Sequence, residues 1–277
     1  MDHVFSVDLE DWYQGLEIDI SDWGRFAPRL EHGLLPLLDL LAASSVTATF
    51  FVLGHEAERA PDLIRRVVAG GHEIASHGWS HRFVYRQSRD EFQRELRRSK
   101  QVLESFAGRP VEGYRAPFFS ITAESLWALD VLVEEGFRYD SSIFPVFNYR
   151  YGIPGAARTP GWIATPSGAR LYEIPLSTLR LGGVNMPLGG GGYFRLYPYA
   201  LTQALARRLV RRERLVFYVH PWEYDPAQPR VRLPRRVPEH THYMNLASTL
   251  PKTRRLLADF RFTTMRAAFG AAYRAQA

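Results

Sequence analysis

The sequence predicts an α/β protein in which parallel strands alternate with helices. Between residues 4 and 142, short β-branched or aromatic stretches alternate with longer amphipathic ones, and this strand-helix pattern repeats four times. Such regular alternation is typical of parallel strands joined by crossover helices, with functional residues at the carboxyl ends of the strands. The 277 residues, of which 46% are hydrophobic, suffice for one large domain or two small ones.

The first half of the chain carries clear signals for its strands and helices. Ser88 and Glu91 form a capping-box pattern at the start of one helix, and Pro61 suits the first turn of another. Apolar residues at helical spacing indicate the helices, and β-branched or aromatic runs indicate the strands. We therefore expect strands at 4–8, 46–53, 73–76, 111–116 and 137–142, and helices at 30–43, 61–70, 88–107 and 124–135.

The second half is less regular. A proline- and glycine-rich region at 144–192 contains one expected strand, at 172–175, and the glycines at 189–192 predict a flexible loop or lid. These glycines lack the preceding strand and the following lysine of a phosphate-binding loop. Beyond them, the pattern predicts helices at 199–212 and 250–259 and strands at 215–219 and 260–265.

Composition limits the chemistry and the partners of the protein. Because there is no cysteine, a transition metal would need histidine and carboxylate ligands, and we expect a reducing compartment. The charge of +6 comes largely from arginine, but no nucleic-acid module accompanies it, so we expect no nucleic-acid partner. The N-terminus has no signal-peptide pattern and no stretch is apolar enough for a transmembrane segment, so we expect a cytoplasmic protein.

Histidines and carboxylates occur where the predicted strands end. His77 and His81 are four residues apart, directly after the strand at 73–76, and imidazoles at this spacing can hold one metal ion. A histidine pair that bonds only to backbone or solvent is the alternative. Further polar residues at strand ends are Asp8, Glu10, Asp11, Arg115, Asp140 and His220.

Together these side chains predict a metal-dependent hydrolase. Two imidazoles and one carboxylate leave open positions on a metal ion, where water can be activated or a carbonyl polarised. A second carboxylate can then act as the general base, and a separate histidine as the general acid.

The same residues resemble a known family, the metal-dependent polysaccharide deacetylases of carbohydrate esterase family 4. Residues 6–10 are similar to the family's first motif, usually Thr-Phe-Asp-Asp-Gly, and residues 77–81 to its His-(Ser/Thr)-x-x-His motif. Residues 115–117 match its Arg-x-Pro motif, and residues 215–220 resemble its closing Leu-x-x-His motif. The motifs follow one another in the family's order.

The end of the chain is similar to a narrower branch of that family. Residues 220–226 and 242–246 resemble members that accompany bacterial exopolysaccharide loci of the exosortase/PEP-CTERM type. The resemblance implies a distorted (β/α)7 barrel over residues 1–277, a single polysaccharide deacetylase domain with 221–277 as a C-terminal extension packed on the barrel. It also implies an N-acetylated glycan substrate, a divalent metal, preferably zinc, and peripheral contact with membrane-bound synthesis machinery.

The resemblance implies a role for each site residue. His77 and His81 are metal ligands, and Asp8 is the general base that removes a proton from water. Arg115 orients Asp8 through a charge-assisted hydrogen bond, and His220 protonates the departing amine.

The third metal ligand is open, because the adjacent aspartate pair of the usual motif is absent here. Glu10 is favoured, since related members with Asp-x-Asp place the ligand two residues after the base; Asp11 is the alternative. The backbone N–H of Phe118 is implied as an oxyanion donor. Gly78 stands where Ser or Thr is common, which removes a hydroxyl that could brace the loop.

Three aromatic side chains and one carboxylate complete the predicted site. Trp12, Tyr193 and Trp222 are candidates for contact with a sugar ring, with simple packing as the alternative for each. Asp140 is a candidate partner for a histidine or for the arginine network, and a cap for the loop at 141–142 is its alternative.

Two other functions remain open from the sequence. The same site could hydrolyse a small cyclic amide, as in allantoinase-like relatives of this fold. A barrel that binds polysaccharide without catalysis is the second alternative.

Overall fold

The fold is taken from a computed structural model that describes residues 1–148, 150–232 and 236–275. Its strands are β1 (His3–Leu9), β2 (Thr49–Val52), β3 (Glu73–Ser76), β4 (Gly113–Tyr114), β5 (Tyr139–Asp140), β6 (Gly161–Ala164), β7 (Arg170–Glu173), β8 (Thr178–Leu181), β9 (Val184–Pro187), β10 (Val216–Val219) and β11 (Phe262–Thr263).

The helices connect these strands. They are α1 (Leu30–Ala43), α2 (Gly54–Arg59), α3 (Pro61–Ala69), α4 (Arg89–Ala107), α5 (Trp127–Glu134), α6 (Gly191–Leu196), α7 (Tyr199–Leu209), α8 (Arg236–Tyr243), α9 (Thr249–Asp259) and α10 (Met265–Arg274). Among the described residues, no helix is both long and apolar enough to cross a membrane.

One large sheet organises the molecule. Its strands lie in the order β10-β1-β2-β3-β4-β5-β7-β6, with β11 also paired to β1. Neighbours from β10 to β7 are parallel, and only the edge pair of β6 with β7 is antiparallel. Parallel strands with helical crossovers are what the alternating pattern predicts. The structure is an α/β half-barrel sheet, and the (β/α)7 count stays a prediction.

The register of the sheet brings the predicted site residues to one edge. Leu9 pairs with Val52, Val52 with Ser76, and Ser76 with Tyr114. The residues that follow these partners, among them Glu10 and His77, therefore leave the sheet at the same level. On the other side of β1, Val7 pairs with Val219, so the residues that follow them, Asp8 and His220, are also neighbours.

The core lies between the sheet and its helices and is continuous through most of the molecule. Phe5, Phe50 and Ile74 from the central strands are fully or almost fully buried with Leu34 and Leu37 of α1. Burying such side chains stabilises the fold by about 1.5–3 kcal/mol each. The core therefore holds the strand ends in fixed relative positions.

The elements predicted in the first half are confirmed: β1 is longer than expected, β3 has the expected bounds, and β2, β4 and β5 are shorter. Ser88 caps α4, and the Glu91 side chain accepts from the Ser88 backbone, so the capping box is present. Pro61 is the first residue of α3. The short helix α2, at 54–59, was not predicted because its six residues carry little periodic signal.

The second half differs from the expected pattern in two places. The described residues of region 144–192 contain four strands, β6 to β9, where one was expected. The strand expected at 260–265 is present as the short β11, and the helix α10 that follows it was not predicted. The short strands of this region pair with close sequence neighbours, β6 with β7 and β8 with β9, which a proline- and glycine-rich sequence does not reveal.

The glycines at 189–192 do not form the predicted loop or lid. Gly189 accepts a 2.7 Å hydrogen bond from the Tyr218 N–H, and α6 begins at Gly191. Gly190 has a φ of +119°, and a Cβ there would lie 1.9 Å from the Tyr218 carbonyl oxygen. Glycine is needed because the backbone passes directly against β10.

Candidate active site

Glu10, His77 and His81 form a buried cluster at the carboxyl end of the sheet. Each residue offers one ligand atom, an imidazole nitrogen or a carboxylate oxygen, and these three atoms lie within 4.8 Å of one another. Glu10 Oε2 is 3.9 Å from His77 Nε2 and in direct contact with His81 Nε2. The arrangement is the three-donor face that the sequence predicts, with Glu10 as its carboxylate.

The surroundings of this cluster set the charge of its members. Burial lowers the pKa of His77 to about 4, so this imidazole is neutral at pH 7. The His77 Nδ1 lies 2.8 Å from the Arg115 carbonyl oxygen, which leaves Nε2 facing Glu10. Burial raises the pKa of Glu10, but the imidazoles of His81, His220 and His77 outweigh burial and lower it well below its ordinary value.

The turn that carries the histidines is not helical. Residues 77–83 follow β3 as an irregular loop, and His81 has a φ of +52°, in the left-handed region. Gly78 has a φ of +78°, which explains why glycine stands where the family pattern has Ser or Thr. The Ser80 hydroxyl donates to Glu95 at 2.6 Å, so the loop is braced from α4.

Asp8 and Arg115 form a fully buried ion pair beside the cluster. Arg115 Nη1 donates to Asp8 Oδ1 at 2.6 Å, and the same nitrogen is 3.0 Å from the Ser6 hydroxyl. Arg115 Nη2 donates to the Ser141 hydroxyl at 2.9 Å. The guanidinium thus has partners in β1 and at the end of β5, and the Asp8 carboxylate that it holds lines the cavity.

His220 lines the cavity and belongs to a second network of charged side chains. Its Nδ1 is 2.6 Å from Glu223 Oε1, and Glu223 Oε2 accepts from Arg195 Nε at 3.0 Å. Burial lowers the pKa of His220, but the hydrogen bond to Glu223 and the charge of Glu10 raise it above its ordinary value. His220 Nε2 lies 4.0 Å from Asp8 Oδ2, so acid and base candidates face one another.

Trp222 contacts the metal-ligand candidate rather than open space. Its indole N–H donates to Glu10 Oε1 at 2.9 Å, which leaves Oε2 toward the histidines. The indole stacks on the His220 ring at a centroid distance of 4.8 Å and on the His242 ring at 4.0 Å. Although Trp222 lines the cavity, it is 93% buried, and these contacts favour a positioning role over the predicted sugar contact.

Asp11 and Trp12 lie away from the cluster. The Asp11 carboxylate accepts from the backbone N–H groups of Arg29 and Leu30, at the start of α1, and from Arg59. Trp12 is 1% exposed, and its indole donates to the Ala27 carbonyl. The expectation that Trp12 contacts a sugar is therefore corrected: the following loop covers it.

Asp140 forms part of a buried acid pair beneath the site. The Ser142 hydroxyl donates to Asp140 Oδ1 at 2.5 Å, and Ser142 in turn accepts from the Ala116 N–H. Burial raises the pKa of Asp140 to about 6, and burial together with the Asp140 charge raises that of Glu173 well above its ordinary value. These contacts match the loop-cap alternative, and Asp140 reaches the arginine network only through its neighbours.

The site residues line one cavity of about 250 Å³. Phe118 lies in its wall with a φ of +55°, and its ring is 4.4 Å from that of His81. Tyr193 of α6 also lines the cavity. The cavity brings together the following predicted residues: Asp8, Glu10, His77, His81, Phe118, Tyr193, His220 and Trp222.

Sequence reasoning missed three residues that hold the site together: Arg195, Glu223 and His242. Arg195 is buried and donates to Glu223, to the His242 carbonyl at 2.8 Å and to the Met244 carbonyl at 2.8 Å. Of these, only Glu223 had a usable signal, because it lies three residues after His220 in a Pro221–Tyr224 3-10 helix. Arg195 has no strand end or motif beside it, and the motif at 242–246 gave no sign that His242 packs on Trp222.

Family models cover most of the chain in two parts. Residues 31–137 match the family described as polysaccharide deacetylase, and residues 141–270 match a domain of unknown function, DUF3473. His77, His81 and Arg115 lie in the first match and His220 in the second. The division of the candidate site between two matches leaves the single-domain organisation a prediction.

Curated relatives match about a third of the chain. A peptidoglycan-N-acetylglucosamine deacetylase of Bacillus cereus is 33% identical over 95 residues, 34% of this chain and 34% of the relative. A chitooligosaccharide deacetylase of Sinorhizobium fredii is 37% identical over 97 residues, 35% of this chain and 42% of the relative. The matches therefore span less than half the length of these relatives.

Solved structures share the fold over almost the whole chain. A candidate polysaccharide deacetylase from Mycobacterium smegmatis has a TM-score of 0.63 at 22% identity, covering 99% of this chain and 91% of that one. The Puue allantoinase has a TM-score of 0.59 at 18% identity, covering 99% and 89%. These identities show the fold alone. The matching family model and the curated relatives, on this fold, support a polysaccharide deacetylase domain in this chain.

Proposed function

We propose that this protein is a metal-dependent N-deacetylase that hydrolyses the acetamido group of an N-acetylated sugar. The observation that carries this proposal is the buried cluster of Glu10, His77 and His81 in a cavity that Asp8 and His220 also line. The curated relatives that match this chain include peptidoglycan and chitooligosaccharide deacetylases. They favour an N-acetylated glycan over a small cyclic amide.

We propose zinc as the metal, and the donor set fits it. One carboxylate and two imidazoles are a common ligand set for catalytic zinc. His77 is neutral and presents Nε2, and Glu10 is ionised with Oε2 directed at both histidines. When bound, such an ion supplies Lewis-acid chemistry toward a carbonyl group and lowers the pKa of water.

The remaining groups supply proton transfer. Arg115 holds Asp8 through Oδ1, so Oδ2 can take a proton from the attacking water. Glu223 holds His220 through Nδ1, so Nε2 can give a proton to the departing amine. The Phe118 N–H, which follows the Arg115-Ala116-Pro117 turn, is the proposed oxyanion donor; such donors contribute about 10²–10³ in rate.

The biological setting is part of the same proposal. The similarity of residues 220–226 and 242–246 to the exosortase/PEP-CTERM branch supports an exopolysaccharide or its precursor as substrate. We propose that the protein acts in the cytoplasm, in peripheral contact with membrane-bound synthesis machinery. The absence of cysteine is compatible with that compartment.

The test is acetate release from N-acetylglucosamine oligomers by the metal-depleted protein, before and after addition of zinc. We expect zinc to restore release, and we expect His77→Ala to lose both bound zinc and activity. His32→Ala, which changes an exposed histidine of α1, is the matched control and should retain both. Release of no acetate from any acetylated glycan, or hydrolysis of allantoin instead, would contradict the proposal.

A further inference from the structure

We propose that the cavity admits the end of a glycan chain, so that the enzyme removes the acetyl group of a terminal sugar and not of internal sugars. The inference rests on the proposed deacetylase function and names the substrate class of the same site. It is carried by contacts that join the walls of the cavity to one another around the Glu10, His77 and His81 cluster.

The first joined side lies between the loop after β5 and the loop after β1. Arg150 lines the cavity, and its guanidinium forms an ion pair with Glu17, two residues beyond cavity-lining Gly15. The Arg150 guanidinium also lies 5.7 Å from the centre of the Phe118 ring. Both side chains are partly exposed, at 22% and 24%. This contact spans the gap through which a chain could pass on that side.

The second joined side lies between the loop after β1 and α8. A Cβ placed at Gly15 would lie 3.4 Å from His242 Cε1 and 3.3 Å from Trp222 Nε1. The backbone of the first loop is therefore in close contact with the side chain at the end of α8. The space between Gly15 and the Trp222 and His242 side chains has room for about one carbon atom, so no sugar ring, which is several ångströms thick, can pass there.

The third joined side lies between α8 and α6. Arg195 donates to the carbonyl oxygens of His242 and Met244, and the Asn245 amide donates back to the Arg195 carbonyl at 3.2 Å. Lys252 Nζ adds a 2.9 Å hydrogen bond to that same carbonyl. Since Arg195 is buried with Glu223, this side is fixed by a charged network rather than by a mobile loop.

These contacts follow one another around the cavity. A long polysaccharide whose internal units react must enter on one side of the metal cluster and leave on another. A cavity walled on three successive sides offers an entrance without a matching exit, so the unit that reaches Glu10 and the histidines is the last one of its chain.

The first experiment locates the reacting unit. N-acetylglucosamine oligomers of two to six units are treated with zinc-loaded protein, and tandem mass spectrometry places each lost acetyl group. We expect loss only at one chain end, at a rate nearly independent of length. Acetyl loss at internal units would overturn the inference while leaving the deacetylase function intact.

Binding provides a readout that does not require turnover. Saturation-transfer NMR with metal-depleted protein and the same oligomers should mark the acetyl methyl group of one terminal unit most strongly. Equal transfer to internal units, or no transfer to any unit, would overturn the inference. If saturation transfer marks a terminal unit but no acetate is released, only the proposed catalysis is contradicted.

A variant tests whether the joined wall causes the selectivity. Glu17→Gln removes the ion pair with Arg150, and we expect deacetylation of internal units to rise about two- to fivefold, the scale of one partly exposed ion pair. Asp22→Asn is the matched control, since it breaks the exposed pair with Arg25, at 3.1 Å, in the same loop region. An equal change in both variants, or none in Glu17→Gln, would count against the wall as the cause.

Discussion

The two halves of the molecule contribute differently to the candidate site. Residues up to 140 supply groups proposed to touch the metal or the reacting atoms, such as Asp8, Glu10 and His77, and each directly follows or ends a strand. Apart from His220, the later half supplies groups that hold others in place, such as Arg195 and Trp222. Reacting groups thus come from strand ends, and positioning groups from contacts between distant segments.

The largest effect is expected where the first half buries a charge pair. Arg115→Met leaves the Asp8 carboxylate buried without its partner, and breaking such a pair costs about 3–5 kcal/mol. We expect the free energy of unfolding, measured in urea, to fall by that amount. Arg109→Met, at an exposed position just after α4, should change it by less than about 0.5 kcal/mol.

The double variant sharpens this prediction. Adding Asp8→Asn to Arg115→Met removes the uncompensated charge, so part of the lost stability should return. If the double variant is less stable than Arg115→Met by the full cost of Asp8→Asn alone, the two side chains do not act as a pair.

A smaller, graded effect is expected from the positioning groups of the second half. Trp222→Phe keeps an aromatic ring but removes the donor that holds Glu10 Oε1, and outer-shell changes of this kind typically cost about 10–100-fold in metal affinity. Competition with a chromophoric zinc chelator measures the affinity. Trp12→Phe removes an indole donor that binds the Ala27 carbonyl instead, and it should leave the zinc affinity unchanged.

The comparison would fail if Trp222→Phe and Trp12→Phe bound zinc equally well. In that case the second half would contribute no more than packing around the metal ligands.

The smallest effect concerns the acid pair where the two halves meet. Burial raises the pKa values of Asp140 and Glu173, and the Asp140 charge raises that of Glu173 further, so the folded state binds protons more tightly than the unfolded chain. Their favourable contribution is complete below pH 4, near their ordinary pKa values, and is lost as pH rises through about 6 and beyond. Stability should therefore decline from pH 5 to pH 8.

Glu173→Gln should reduce that decline, because it removes one ionisable member and the repulsion on the other. Urea unfolding at pH 5 and pH 8 measures the difference, and Glu31→Gln, at an exposed position of α1, controls for general charge effects. Parallel pH dependence in wild type and Glu173→Gln would show that the pair does not control it.

The predictable part of the site depends on local patterns. Glu10 and His77 could be found because apolar runs stop just before them, and parallel strands in register place such residues together. The turn at His81 was harder, since its left-handed backbone has no signal beyond Gly78. Local sequence therefore predicts which residues meet, but not how the backbone presents them.

The unpredictable part depends on contacts between distant segments. Trp222 and Glu10 are 212 residues apart in sequence, and Arg195 reaches backbone carbonyls 47 and 49 residues away. Trp12 lies shortly after the end of a strand, where an aromatic side chain is often exposed, but the segment around Ala27 covers it. Partners of this kind follow from the packing of the second half, whose short strands and glycine-rich turns carry weak periodic signals.

The central claim is that Glu10, His77 and His81 together hold the metal. Diffraction from zinc-soaked crystals on both sides of the zinc absorption edge tests it most directly. The account predicts one anomalous peak, about 2.0–2.2 Å from Nε2 of both histidines and from Glu10 Oε2. A peak ligated by Asp11 in place of Glu10, or no peak at this cluster while zinc binds elsewhere, would contradict it.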